Sequence, residues 1–320
     1  MIYLFLFILS FLLTHLIKNY YIKNAILEEI NERSSHTVPT PHGGGIALSI
    51  TWFMGLFYLN FTNQIDSTLF YALMMGIIIS IVSFFDDLYD LSPKIRLIAQ
   101  ASVAILGLYF LGGFKSLDLF IFNIDNQMFT NIFAFLLIVW FINLYNFLDG
   151  INGYAGSEIV FLSIAGFILF SGVHFLVLIM ATLGFLVWNY GNKAKIFMGD
   201  VGSTLLGYNV AIFTIYYANQ ESSNLWVWVI LFGLFWFDAT LTLIRRKLNG
   251  EKLSKAHKKH AYQRLNQSGF SHLKVTNYAM VVNIGLFFIV YFISNPFISF
   301  IISLFFLYFI LKLVDKKFSF

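Results

Sequence analysis

The chain has 320 residues, of which 59% are hydrophobic and 11% are charged, and its formal net charge is +4. Its mean hydropathy of +0.78 exceeds what a water-soluble domain carries, so a soluble fold is excluded. Because the sequence contains no cysteine, disulfides, thiolate metal sites and a cysteine nucleophile are excluded as well. The composition predicts an all-α protein that is embedded in a lipid bilayer.

Apolar segments bounded by polar clusters predict a polytopic bundle of about eleven transmembrane helices in a single integral-membrane domain over residues 1–320. The predicted spans are 1–19, 43–60, 67–85, 95–112, 131–147, 157–171, 173–189, 202–218, 225–243, 276–294 and 296–313. If the two segments on either side of Ser171 form one crossing, the count is ten. The first segment lacks the basic start and cleavage site of a signal peptide, so we interpret it as a retained span.

The distribution of basic residues predicts the orientation of these spans. Nineteen of the twenty Lys and Arg residues lie in or beside alternate loops and the C-terminal tail, and Lys115 alone lies on the other side. Loops rich in Lys and Arg stay in the cytoplasm. We therefore expect the N-terminus outside, the C-terminus in the cytoplasm, and a basic cytoplasmic loop over residues 244–275. The unusual polar residues of the chain fall on the same cytoplasmic side.

Three carboxylates follow the third predicted span, in the segment FDDLYD. On a helix Asp86 and Asp90 would share one face, and Asp87 lies three residues before Asp90. Clustered carboxylates near a bilayer require a compensating cation, and Mg²⁺ bridging to a phosphate suits them. A solvated acidic turn at a helix end is the structural alternative. Lys94 and Arg96 lie just beyond the cluster, on the same side of the membrane.

Two further segments combine glycines with groups that bind metals or phosphates. NFLDGING begins with Asn146 and contains Asp149, and its glycines allow a ligand to approach the backbone. A plain Asx–Gly turn would have the same composition. In KAKIFMGDVGS, Asp200 stands at a predicted helix N-terminus, where anions bind and where an aspartate could hold a metal that meets them. A simple N-cap role for Asp200 is the alternative.

The basic loop contains His257 and His260, followed by Arg264. A histidine pair without a further ligand is weak evidence for a metal site, and the surrounding Lys and Arg residues favour contact with phosphate. A loop held at anionic lipid headgroups is the alternative. The segment SSHTVPTPHGGG, residues 34–45, contains His42 and leads into the second span. Close helix packing alone would also explain its three glycines.

Taken in order, the segments HTVPTPHGGG, FFDDLYDLSPKIR, NFLDGINGYAG and KIFMGDVGS resemble the motifs of the polyprenyl-phosphate N-acetylhexosamine-1-phosphate transferases. This superfamily includes phospho-MurNAc-pentapeptide translocase, and HKKHAYQRL looks like the branch that starts O-antigen and related surface polysaccharides. The resemblance covers most of the chain. It implies transfer of a HexNAc-1-phosphate from a UDP-sugar to undecaprenyl phosphate, with release of UMP, at the cytoplasmic face of the bacterial inner membrane.

The resemblance also assigns expected roles to individual residues, with Mg²⁺ or Mn²⁺ as the cofactor and Asp200 and Asp86 as its ligands. The expected catalytic residues are Asp86, Asp87, Lys94, Arg96, Asp149, His257 and His260. The expected substrate-binding residues are His42, Asn146, Gly150, Ile151, Asn152, Phe197 and Arg264. Phe197 would stack on the uracil, and residues 150–152 would meet its edge. The expected partners are the two substrates and the lipid bilayer, without nucleic acid, and a homodimer stays open.

The sequence departs from the family pattern at two places. Asn152 stands where many bacterial members carry an aspartate, so this side chain can bond to uracil without supplying charge. The segment HKKHAYQRL, residues 257–265 and called the histidine loop below, lacks the consecutive histidines of the pentapeptide translocases. This difference puts a peptidoglycan substrate in doubt.

Both expected substrates are phosphate-rich anions, so charge neutralisation and positioning should dominate the chemistry. A general base is less important, because a phosphate monoester has a second pKa of about 6 and is largely ionised at neutral pH. Two other functions remain to be weighed. A transporter would carry its ionisable residues near the membrane midplane, and a magnesium-dependent aromatic prenyltransferase would show a second aspartate-rich motif. The sequence has neither feature.

Overall fold

The computed structural model describes residues 1–28, 39–253 and 257–320. Residues 34–38 of the predicted SSHTVPTPHGGG segment and residues 254–256 of the basic loop lie outside the described part. Within it the helices, numbered α1 to α14 in chain order, are Ile2–Lys23, Gly44–Phe61, Ser67–Met74, Gly76–Tyr89, Pro93–Phe110, Gln127–Phe147, Tyr154–Phe170, Val173–Asn189, Asp200–Gln220, Asn224–Leu231, Gly233–Leu248, Ala261–Gln267, His272–Phe292 and Pro296–Lys317. Strands β1 (Leu27–Glu28) and β2 (Thr40–Pro41) pair antiparallel, as do β3 (Leu117–Asp118) and β4 (Asn123–Ile124).

Each of the eleven predicted spans coincides with one helix or with two consecutive helices of the described chain. In the described residues, six segments are long and apolar enough to cross a membrane, with α3 and α4 counted together, and the bent pair α10 and α11 would be a seventh. The apolar helices α7 and α8 have 17 residues each. The protein is therefore an all-α, multi-pass membrane protein, and the count of eleven stays a prediction.

The predicted ninth span is broken rather than straight. Helices α10 and α11 meet at Phe232 with an angle of 71° between them. The fully buried Phe232 ring stacks on Tyr145, 5.9 Å away, and a Cβ on Gly233 would come within 3.0 Å of Leu307. Glycines are frequent at helix kinks, and this one also lets the last helix pack closely. Hydrophobic periodicity carries no signal for such a bend.

Helix α9 lies at the centre of the bundle. Seventeen of its 21 residues are buried, and it packs against α2, α3, α4, α6 and α10. Where it meets α6, a Cβ on Gly207 would lie 2.6 Å from the carbonyl oxygen of Phe141. Where it meets α3, the Tyr208 hydroxyl donates a 2.7 Å hydrogen bond to the carbonyl oxygen of Ala72. The first residue of this firmly held helix is Asp200.

Candidate active site

Three aspartates from two distant segments meet at one end of the bundle. Asp86 and Asp87 lie in the last turn of α4, and Asp200 begins α9. The backbone N–H of Asp200 donates to Asp87 Oδ1 over 3.2 Å, and the carboxyl groups of Asp86 and Asp200 lie within hydrogen-bonding reach of each other. Three carboxylates that are this close and largely buried repel one another, so the cluster calls for a cation.

Arg96 is the cation that the structure places at this cluster. Its Nη1 lies 3.3 Å from Asp86 Oδ2.

Asp90 does not share a face with Asp86, so that expectation is wrong. Helix α4 ends one residue earlier, Asp90 takes a left-handed conformation with φ 49°, and its side chain is 98% exposed. Lys94 is exposed at the start of α5 and is not among the residues that line the adjacent cleft.

Asn146, in the last turn of α6, orients the aspartate of α9. Its Nδ2 donates to Asp200 Oδ1 over 2.8 Å and to Ser203 Oγ over 3.0 Å. Both amide protons are therefore used inside the cluster, and the Asp200 carboxylate is held in one orientation. The role of Asn146 in substrate binding stays a prediction.

A cleft of about 360 Å³ opens beside the aspartates, between α4, α5, α6 and α9. It is lined by Ile79, Val82, Ser83, Asp86, Pro93, Arg96, Leu97, Ala99, Gln100, Asn143, Asn146, Phe147, Asp200 and Thr204. Charged groups occupy one end, and the lining also includes apolar side chains of α4 and α5. Sequence reasoning missed Gln100 and Asn143. Their signal is an amide inside an otherwise apolar predicted span, a placement that often marks function.

The three glycines at the start of α2 bring the FMGD segment, residues 197–200, to the cluster. Gly44 N–H donates to the carbonyl oxygen of Phe197 over 2.9 Å, and Gly45 N–H donates to that of Met198 over 2.8 Å. A Cβ on Gly45 would lie 2.3 Å from the backbone nitrogen of Gly202, so α2 and α9 approach with no room for a side chain. Gly44 and Gly45 therefore do pack closely, and a functional role of the segment stays a prediction.

His42 and Phe197 are both half-buried next to these contacts. The His42 ring meets Tyr21 edge-on with centroids 5.8 Å apart. A Cβ on Gly199 would lie 2.8 Å from Asp87 Oδ2, a buried atom that accepts no hydrogen bond from the described residues. Contacts of His42 and Phe197 with a nucleotide stay predictions.

The loop that follows α6 is fastened by its own predicted site residues. Asn152 Nδ2 donates to the carbonyl oxygen of Gly191 over 3.0 Å, and the Asn152 carbonyl accepts from Thr276 over 3.1 Å. Ile151 is 4% exposed and Asn152 is 5% exposed, so both side chains face the protein. Asp149 is half-buried in the preceding turn, where its N–H donates to Asn146 over 3.2 Å.

The histidine loop packs against the same turn. A Cβ on Gly150 would collide with the Tyr262 hydroxyl, which donates to the carbonyl oxygen of Phe147 over 3.2 Å. Tyr262 is two residues after His260, whose ring is 3% exposed and lies 4.8 Å from that of His257. The two predicted histidines are thus near the end of α6.

Both histidines are disfavoured as cations in this position. Burial, followed by the neighbouring His260, lowers the pKa of His257 to about 4. Burial, followed by the charges of Arg246 and Arg264, lowers the pKa of His260 to about 4. Asp238 Oδ1 lies 4.0 Å from His260 Nδ1, yet burial and the arginine charges leave both rings neutral at neutral pH, when they can accept as well as donate hydrogen bonds.

Arg264 lies away from the cleft lining. It is 1% exposed, and its Nη1 donates to Asp315 Oδ1 over 2.7 Å and to the Phe318 carbonyl over 2.9 Å. Its guanidinium also lies 5.6 Å from the Phe320 ring. Arg264 therefore fastens the C-terminal segment to α12, and its predicted contact with substrate is untested.

Among the described residues, no group of three or more His, Asp or Glu side chains has the arrangement of a metal site. The donors at the cluster still suit Mg²⁺, which commonly takes one or two carboxylates and completes its shell with water and substrate phosphate. The carboxyl groups of Asp86 and Asp200 lie within hydrogen-bonding reach of each other, and the buried Asp87 Oδ2 is a further oxygen donor.

Comparison with known proteins places these residues in a family. Residues 69–218 match the family model described as glycosyl transferase family 4, and this range holds all three aspartates and Asn146. The chain is 31% identical to the probable undecaprenyl-phosphate N-acetylglucosaminyl 1-phosphate transferase of Bacillus subtilis (strain 168), over 82% of this chain and 75% of that protein. It is 31% identical to a phospho-N-acetylmuramoyl-pentapeptide-transferase of Streptococcus pneumoniae (strain CGSP14), over 67% and 70% respectively. It is 30% identical to the transferase of that name from Staphylococcus haemolyticus (strain JCSC1435), over 84% and 89%. The chain belongs to glycosyl transferase family 4.

Proposed function

We propose that this protein transfers a HexNAc-1-phosphate from a UDP-sugar to undecaprenyl phosphate, forming undecaprenyl-diphosphate-sugar and releasing UMP. The observation that carries the proposal is the meeting of Asp86, Asp87 and Asp200 at a cleft with a charged end and apolar walls. Such a cleft suits a phosphate attached to hydrocarbon. The names of the relatives support a polyprenyl phosphate acceptor.

The product would start a surface glycan such as O-antigen or a similar cell-envelope polysaccharide. The histidine loop supports this pathway over peptidoglycan, because it carries separated histidines at His257 and His260. The basic segment around it, from Arg245 to Lys274, is our candidate for the choice of sugar.

We further propose eleven crossings of the inner membrane, with the N-terminus outside and the site on the cytoplasmic face. The placement of Lys and Arg supports this orientation. The contacts among α2, α4, α6 and α9 support a common face for the site, since the ends that bear its residues touch one another.

In the proposed reaction, an oxygen of the lipid phosphate bonds to the sugar-bearing phosphorus of the UDP-sugar, and the bond from that phosphorus to UMP breaks. Mg²⁺ or Mn²⁺, held by Asp200 and Asp86, would supply positive charge to the phosphate oxygens. Arg96 adds a fixed cation, and Asn146 keeps the Asp200 carboxylate in place. The lipid phosphate is already ionised at neutral pH, so Asp87 has an organising role and need not remove a proton.

The test is UMP release by the purified protein supplied with undecaprenyl phosphate, Mg²⁺ and a panel of UDP-N-acetylhexosamines. We expect release with at least one donor, loss on chelation, and recovery with added Mg²⁺ or Mn²⁺. Asp200→Asn should lower the rate roughly 100-fold or more, as for the loss of a key electrostatic group. Asp125→Asn is the matched control, because this exposed carboxylate lies between β4 and α6 and does not line the cleft. If the folded wild-type protein releases no UMP with any donor of the panel, the proposal is refuted.

A further inference from the structure

One helical turn below the charged end of the cleft, four uncharged polar side chains form a neutral ring, made of Ser83, Gln100, Asn143 and Thr204. Each lies three or four residues along its helix from a residue of the charged end, which places it about 5 Å deeper. Ile79 and Val82 continue the lining along α4. The cleft is therefore charged, then neutral and polar, then apolar.

The two hydroxyls of the neutral ring have no proton left for a ligand. Thr204 donates its single hydroxyl proton to the carbonyl oxygen of Asp200 over 2.7 Å. The 2.9 Å hydrogen bond between Ser83 and Thr204 therefore uses the proton of Ser83. Towards the cleft this pair offers lone pairs, which do not attract a phosphate oxygen.

The two amides differ from the hydroxyls in this respect. Asn143 Nδ2 donates to the Val139 carbonyl over 2.7 Å and to Gln100 Oε1 over 2.8 Å, which fixes its orientation and uses both protons. Gln100 Nε2 donates one proton to Asn143 Oδ1 over 3.3 Å. Within the described part of the chain, no acceptor takes its second proton. Gln100 is 9% exposed and lines the cleft.

We propose that Gln100 binds the lipid phosphate substrate by donating this remaining N–H to an oxygen of its phosphate ester. The inference rests on the proposed function and adds a substrate contact to it. Arg96 lies one turn nearer the charged end on the same face of α5, so the two side chains hold one phosphate at two depths. Asn143 is the positioning residue, because it fixes the plane of the Gln100 amide.

The size of the cleft indicates the class of lipid. Its volume of about 360 Å³ is little more than twice the roughly 150 Å³ that encloses one benzene molecule in a protein interior. It has room for a phosphate and the first one or two isoprenoid units. A cleft of this size suits the phosphate end of a single-chain lipid, and the rest of the chain would lie outside it.

The kinetic test compares the Michaelis constants of the two substrates. Gln100→Leu removes the donor, and we expect the KM for undecaprenyl phosphate to rise about tenfold or more, as for a hydrogen bond to a charged group. Gln100→Glu should raise it further by repulsion. The KM for the UDP-sugar should stay within about twofold, which separates a lipid contact from a general loss of structure. Ser102→Ala, a change on the same helix at a residue that does not line the cleft, is the control, and thermal unfolding in detergent checks that each variant is folded.

A second measurement does not depend on turnover. Native mass spectrometry of the purified protein with undecaprenyl phosphate, without any UDP-sugar, should show binding that Gln100→Leu weakens and Ser102→Ala preserves. If lipid binding depends on Gln100 but the wild type releases no UMP, the proposed function is refuted and this inference stands. Equal rises of both KM values, or unchanged lipid binding by Gln100→Leu, would show that Gln100 only pairs two helices. Absence of lipid binding by the wild type would overturn both proposals.

Discussion

Asp87 is the residue whose chemistry is most open to test. Its Oδ1 accepts the N–H of Asp200 over 3.2 Å, while its buried Oδ2 has no hydrogen-bond partner in the described part of the chain. An asparagine in this position keeps an acceptor for that N–H and loses the charge. The substitution therefore separates an organising carboxylate from a base.

We expect Asp87→Asn to lower UMP release by a similar factor at every pH, since the lipid phosphate ionises without help. The measurement is the pH–rate profile of wild type and variant from mildly acidic to alkaline buffer. If the variant is inactive at low pH and recovers fully at high pH, Asp87 acts as a general base and the organising role is wrong.

At this scale the sequence predicts charged motifs well and single polar residues poorly. The motifs that contain Asp86, Asn146 and Asp200 do meet, because each stands at a helix end on one side of the bundle. Gln100 and Asn143 were missed, because an amide in an apolar span is a signal but the sequence does not show that these two, 43 residues apart, meet at the cleft. The misplacement of Asp90 arose because hydrophobic periodicity does not locate a helix end to within one residue.

At the scale of helices, the approach of α2 to α9 depends on Gly45. A Cβ there would lie 2.3 Å from the nitrogen of Gly202. We expect Gly45→Ala to push the helices apart and cost about 1–3 kcal/mol of stability, as overpacking does. Thermal unfolding in detergent measures the change.

Gly112→Ala is the comparison for this prediction. Gly112 has a φ of +73° and nothing within 4 Å of an added Cβ, so that variant carries backbone strain without a clash. Gly45→Ala should unfold at a lower temperature than Gly112→Ala and should also lose UMP release, because α2 holds the FMGD segment. Wild-type stability and activity of Gly45→Ala would contradict the packing argument.

The histidine loop predicts a pH dependence of stability. The pKa values of His257 and His260 are lowered to about 4 in the folded protein, against an ordinary value of about 6.5. As pH falls the unfolded chain takes up these protons first, so the stabilisation is complete above about pH 6.5 and is lost towards pH 4.

Thermal unfolding across this pH range is the measurement. We expect the unfolding temperature of the wild type to fall more steeply with acid than that of the double variant His257→Gln and His260→Gln. Parallel curves would mean that the two histidines titrate normally in the folded state.

The helices themselves were largely predictable, and their bends were not. All eleven predicted spans contain helix, because long apolar segments have few alternatives in a membrane. The 71° bend at Phe232 depends on packing of Phe232 against Tyr145 and of Gly233 against Leu307, which are contacts between remote parts of the chain.

For the whole molecule, the proposed orientation can be tested with single cysteines, since the chain contains none. We expect Lys115→Cys to react with a membrane-impermeant maleimide in intact cells. Lys94→Cys and Lys193→Cys should react only after the membrane is opened. Mass shift of the purified protein measures labelling, and the cysteine-free parent is the control. Labelling of Lys94→Cys in intact cells would reverse the orientation.

The central position of α9 has a consequence for biogenesis. Seventeen of its 21 residues are buried, yet it is not among the six segments apolar enough to cross a membrane by length and composition. Contact with lipid stabilises such a helix little, whereas packing against neighbouring helices stabilises it strongly. Its partners α2, α3, α4 and α6 precede it in the chain and are made first, so they can receive it as it leaves the ribosome. We therefore expect ordered insertion, in which Asp200 reaches Asp86 and Asp87 once the earlier helices have formed the surface that receives α9.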